Sequence, residues 1–113
     1  MKKIEAIIKP SKLSNVKDAL HEIGLSGMTV SDVKGFGRQR GQDGGLNSSH
    51  DYDDEFRVKI KIELIIEDKM VEKASEAIKN AAYSGKIGDG KIFVSNIEQV
   101  IRIRTGEKDS EAV

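Results

Sequence analysis

The chain has 113 residues, no cysteine and a formal net charge of zero, with 19 basic and 19 acidic residues. That length accommodates one domain around one modest core. The charge balance argues against a dedicated nucleic-acid binder, and the missing cysteine excludes disulfides, thiolate metal sites and a cysteine nucleophile.

Residues 2–9, KKIEAIIK, place Ile4, Ala6 and Ile8 on one face at period two, which predicts a strand ended by Pro10. This opening has neither the apolar core nor the cleavage site of a signal peptide, and no apolar run is long enough for a bilayer. A cytoplasmic protein without membrane insertion is expected. In SKLSNVKDALHEIG, Leu13, Val16, Ala19, Leu20 and Ile23 recur at helical spacing, and Gly24 offers a left-handed stop. GMTVSDVKGFG returns to strand chemistry with Met28, Val30, Val33 and Phe36.

Residues 37–55, GRQRGQDGGLNSSHDYDDE, show no period. A long structureless stretch inside a compact domain is usually functional or disordered. FRVKIKIELII then alternates: Phe56, Val58, Ile60, Ile62, Leu64 and Ile66 face one way, and Arg57, Lys59, Lys61, Glu63 and Ile65 the other. Asp68 is the expected N-cap of a second helix with the stripe Val71, Ala74, Ala77, Ile78, Ala81 and Ala82. KIFVSNIEQVIRIR supplies the last strand segments, broken near Asn96, and residues 105–113 form a polar tail.

The order β-α-β-β-α-β within residues 1–113 predicts one α+β domain of the ferredoxin-like kind. Both helices should cover one face of a four-stranded antiparallel sheet. The other face mixes Ile7 and Ile65 with charged residues, which suggests burial against copies of the chain.

Three motifs bear on chemistry. GKIGDGKI (85–92) nearly matches a Walker A loop, but Ile92 stands where Ser or Thr should hold magnesium. It also follows a helix and opens a strand, so the helix dipole has the wrong sign. Its glycines and lysines still suit an anion; the alternative is an ordinary glycine-rich connection. In RIRTG, a strand would put Arg102 and Arg104 on one face, where they can grip phosphate oxygens; the alternative is salt bridging at the surface. GFGRQRG lets the backbone approach a ligand closely, or is a flexible loop stem. His21 and His50 are distant in sequence and form no metal or catalytic constellation, and the acidic run Asp51 to Glu55 fits a cation, a docking surface or a solvated loop.

Taken together, MKKIEAIIKP, GMTVSDVKGFGRQRG, GKIGDGKIFVS and VIRIRTGE resemble the PII nitrogen-regulatory signal proteins, from Met1 to about Glu107. The resemblance implies a regulator rather than an enzyme. It implies a homotrimer with ATP or ADP in clefts between subunits. Gly88, Asp89, Gly90 and Lys91 match the family's phosphate-binding loop, and Arg102, Ile103 and Arg104 its C-terminal phosphate grip. Ile7, Thr29, Gly35, Gly37, Arg38, Glu63 and Ile65 match positions lining the nucleotide. Gln39 matches a magnesium ligand and also lies at the nucleotide. Gln39, Arg40, Gly41 and Lys59 match a 2-oxoglutarate site, in which Lys59 pairs with a carboxylate. Residues 37–55 match the T-loop that docks on targets such as an ammonium channel or a nitrogen-metabolism enzyme. That loop departs from the family pattern, with Tyr52 near the modifiable tyrosine and Ser48 and Ser49 near a serine phosphorylated in some relatives. A paralogue that senses adenylates alone and serves nitrogenase or carbon uptake is the rival within the family. An RNA-binding domain of the same topology would need exposed strand aromatics, and KIFVS carries only Phe93.

Overall fold

The structure is a computed structural model that describes residues 1–36 and 56–113. Four strands, β1 (Lys2–Ile8), β2 (Thr29–Phe36), β3 (Phe56–Ile66) and β4 (Lys91–Asn96), form one antiparallel sheet in the order β2-β3-β1-β4. Two helices, α1 (Leu13–Glu22) and α2 (Val71–Ala82), pack on each other and on the sheet. This is the ferredoxin-like arrangement the element order predicts.

The alternation read in β3 decides the packing. Ile60, Ile62, Leu64 and Ile66 are buried with Ile4, Ala6 and Ile8 of β1 and with Val16, Leu20, Ala74, Ile78 and Ala82 of the helices. The register pairs Ile4 with Leu64, Ala6 with Ile62 and Ile8 with Ile60, so one face of two central strands becomes the core. Truncating one of these isoleucines to Ala should cost about 2–5 kcal/mol. Gly24, at φ 88°, ends α1 as expected: its N–H donates to the His21 carbonyl, and Leu25 N–H to Leu20.

The opposite face is built of charges that compensate one another. Glu5 lies directly across from Glu63, a repulsive pairing. Lys3 relieves it from one side, at 2.7 Å from Glu63, and Lys61 from the other, at 3.3 Å from Glu5. The hydrogen bond with Lys3 holds the Glu63 carboxyl below its ordinary value and raises the Lys3 ammonium.

Two expectations fail. Asp68 caps no helix with its side chain. It sits in a 3-10 turn and pairs with the Met1 amino group at 3.0 Å, a partner far away in sequence. Nor does the chain form a strand after Asn96. It leaves the sheet, and an isolated bridge between Ile101 and Lys108 closes the segment that holds Arg102 and Arg104.

Candidate functional site

The stretch from Ser84 to Gly90 links α2 to β4, and its shape follows from a few local requirements. Gly90 has φ 98°, and a Cβ there would lie 1.7 Å from the Ile7 carbonyl oxygen. Only glycine lets the loop lie flush against the end of β1. Asp89 points back into the loop. Its Oδ2 accepts from the N–H groups of Ser84 at 2.8 Å and Gly85 at 2.9 Å. Its Oδ1 accepts from the Ser84 hydroxyl, and the Lys9 ammonium approaches it to 3.3 Å. Partial burial raises the Asp89 pKa, but these donors outweigh it and hold the carboxyl well below the usual range.

Lys59, only 8% exposed, reaches from β3 and donates to the Gly88 carbonyl at 2.8 Å. The loop, Lys59 and the end of the sheet enclose a cavity of about 600 Å³, lined among others by Ile7, Gly35, Arg57, Lys86, Lys91 and Phe93. That size suits a small organic ligand. Among the described residues its walls carry Arg57, Lys59, Lys86 and Lys91 against one carboxylate, Asp89, which Lys9 balances. Backbone amides and cations round a cavity of this size suit a polyanion.

The residues expected at the nucleotide do not all meet here. Ile7, Gly35, Gly88, Asp89, Gly90 and Lys91 line this cavity, and Lys59 joins them. Thr29, Glu63 and Ile65 line a second cleft of about 1060 Å³ with Gly27 and Met28. Thr29 and Gly35 lie on β2, six positions apart, so the two sets are about 20 Å from each other along the strand. Arg102, Ile103 and Arg104 line neither cavity. They lie in a turn in which Arg102 N–H bonds the Glu107 carbonyl at 2.8 Å and its guanidinium stands 3.4 Å from the Glu107 carboxylate. The strand-face argument for the two arginines therefore does not hold: with no neighbouring strand to fix the pleat, the period of two has no meaning. Ile103, between them, is 100% exposed.

Gly37, Arg38, Gln39, Arg40, Gly41, Ser48, Ser49, His50, Tyr52 and the acidic run lie outside the described residues. His21 is exposed, and among the described residues no group of three His, Asp or Glu gathers as a metal site. Sequence reasoning missed Lys9 and Ser84. Lys9 precedes the proline of IIKP and Ser84 follows the helix stripe; only the fold makes them neighbours, at 3.1 Å.

Comparison with known proteins agrees with the fold. The family described as Nitrogen regulatory protein P-II matches residues 1–107. Proteins of that name from Rhodospirillum rubrum and Azospirillum brasilense are 61% and 58% identical, each over the whole of both chains. A crystal structure of Arabidopsis thaliana PII bound to citrate superposes with a TM-score of 0.80 at 40% identity, covering 98% of this chain and 87% of that one.

Proposed function

The chain belongs to the nitrogen regulatory protein P-II family, and from that premise we propose that it is a cytoplasmic homotrimeric regulator that reads ATP against ADP, and 2-oxoglutarate with ATP and magnesium. The family and its relatives are described as regulatory proteins, and the chain is a regulator rather than an enzyme. Among the described residues no helix is long and apolar enough to cross a membrane.

One observation carries the reading. The cationic loop cavity and the cleft at Thr29, Glu63 and Ile65 lie at opposite ends of one sheet. A single chain cannot bring both to one small ligand; two copies side by side can. The cavity with Gly88 to Lys91 takes the phosphates, the cleft of a neighbouring copy takes the base, and the arginine turn reaches across. Asp89 is already occupied by the loop, so the described walls hold phosphates rather than the ion; magnesium would be carried by the phosphates and Gln39 and would neutralise charge between them and 2-oxoglutarate. Lys59 pairs with a carboxylate of that acid. The plant relative is described as bound to citrate, an anion of the same chemical class.

Ligands shift residues 37–55 between states only through their differential affinity for each. The docked partner is a target such as an ammonium channel or a nitrogen-metabolism enzyme. Calorimetry tests the reading. ATP and ADP should each give saturable heat. 2-Oxoglutarate should give heat only with ATP and magnesium present, and Lys59→Ala should abolish it. No heat from 2-oxoglutarate, with ATP bound normally, would leave a sensor of adenylates alone.

A further inference from the structure

Resting on the nucleotide reading above, we propose that Lys9, Ser84 and Asp89 form a clasp that sets the shape of the phosphate-gripping loop, and that Asp89 acts as a positioning residue without touching the nucleotide.

Hydrogen-bond geometry carries this. A carboxylate can accept on both oxygens, and both of Asp89's are engaged inside the loop: Oδ2 by two backbone N–H groups, Oδ1 by the Ser84 hydroxyl and Lys9. The Ser84 hydroxyl also accepts from Lys9 at 3.1 Å and from the Lys86 N–H at 3.3 Å. The clasp thus joins three pieces of chain: the residues after α2, the return of the loop and the end of β1. Gly88 and Gly90, which flank Asp89, have φ of 101° and 98°. Two glycines one residue apart make a chain that wanders; anchoring the side chain between them fixes the peptides on either side. Gly90 meets the Ile7 carbonyl just before Lys9, so the loop is held to β1 by backbone and side chain together.

Charge explains why the clasp needs three members. A lone carboxylate beside a phosphate site repels the ligand. Lys9 cancels that charge within the clasp, and Lys86 and Lys91 remain for the anion. With the loop shaped beforehand, its ordering cost falls on folding rather than on binding.

The experiment turns on a sign. If Asp89 merely stood near the phosphates, Asp89→Asn would remove a negative charge and tighten ATP and ADP. As a positioning residue its loss weakens both, by about tenfold, the effect of one charge-assisted hydrogen bond. Calorimetry on the full chain reads this, with Ser84→Ala expected to weaken both nucleotides and Ser84→Thr, which keeps the hydroxyl, to restore them. Amide exchange should quicken at Ser84 and Gly85 in Asp89→Asn and stay unchanged at Ile62 in the core. If Asp89→Asn fails to fold, the Ser84 pair carries the same prediction, since Ser84 is exposed. Unchanged or tighter nucleotide binding in Asp89→Asn, or in Ser84→Ala, overturns the proposal while the nucleotide reading stands. A wild-type chain that takes up no nucleotide overturns that reading, and the proposal with it.

Discussion

The loop of residues 84–91 and the turn of residues 102–107 are both cationic, both rich in backbone donors, and both assigned to phosphate in the proposed site. They are held in opposite ways. The loop is tied from inside by Asp89 and from beneath by Lys59 and the Ile7 carbonyl. Among the described residues the turn has only its own short bonds, with Gly106 N–H on the Arg102 carbonyl and Thr105 Oγ1 on Glu107, and it presents a wholly exposed isoleucine. In the proposed site, one half is finished within the protomer and the other is a surface for a neighbouring copy to complete.

The sharpest break should come from Gly90→Ala. The new methyl would meet backbone rather than a movable side chain, at a positive φ. A cost of roughly 2–4 kcal/mol is expected, with a lower thermal midpoint and loss of nucleotide heat. Unchanged melting would show that the loop yields where the contrast says it cannot. Next comes the turn. Arg102→Ala should weaken ATP and ADP together by roughly 1.5–3 kcal/mol, on the order of tenfold or more, and leave the midpoint where it was. A shifted midpoint would mean the turn belongs to the protomer's own fold.

Ile103→Ser should change protomer stability by less than about 0.5 kcal/mol yet make the assembly dissociate at higher protein concentration in light scattering. Equal masses for both proteins on dilution would place Ile103 in solvent instead of against a copy. The smallest effect concerns pH. The Asp89 carboxyl is depressed in the folded state, so its contribution is complete above the ordinary carboxylate pKa of about 4 and is lost only as pH falls further. Amide exchange at Ser84 and Gly85, corrected for intrinsic rates, should therefore stay flat between pH 8 and 5. A rise near pH 5 would show the clasp to be weaker than its geometry.

The same contrast explains what the sequence could reveal. Strand β3 was legible because Ile60, Ile62, Leu64 and Ile66 answer to one rule, the pleat, and both helices because their stripes answer to another. The glycine-rich loop was legible as a tight cationic connection because glycines and lysines adjoin. Its clasp was not: Lys9 and Ser84 stand 75 positions apart, and nothing local marks the pair. Asp68 has the form of an N-cap, and a tertiary partner claimed it instead. Arg102 and Arg104 read as neighbours on a strand because alternation is visible in sequence while the absence of a pairing strand is not. The splitting of Ile7 and Gly88 from Thr29 and Glu63 follows from strand register, which no single motif records.

Four of the charges on the open sheet face, those of its two ion pairs, have an effect at long range. Lys3, Glu5, Lys61 and Glu63 alternate in sign and sum to zero. Their combined field falls off far faster than that of a single ion, and beyond a Debye length of about 8–10 Å salt extinguishes what remains. With the whole chain also neutral, a diffusing polyanion feels no overall pull. It feels the rim of the sheet, where the exposed Lys86 and Lys91 stand uncancelled by the clasp. Under the proposed function such a surface guides its ligand by contrast, compensated around the two ion pairs and attractive at the edge, and added salt should slow the arrival of a nucleotide more than it hastens its departure.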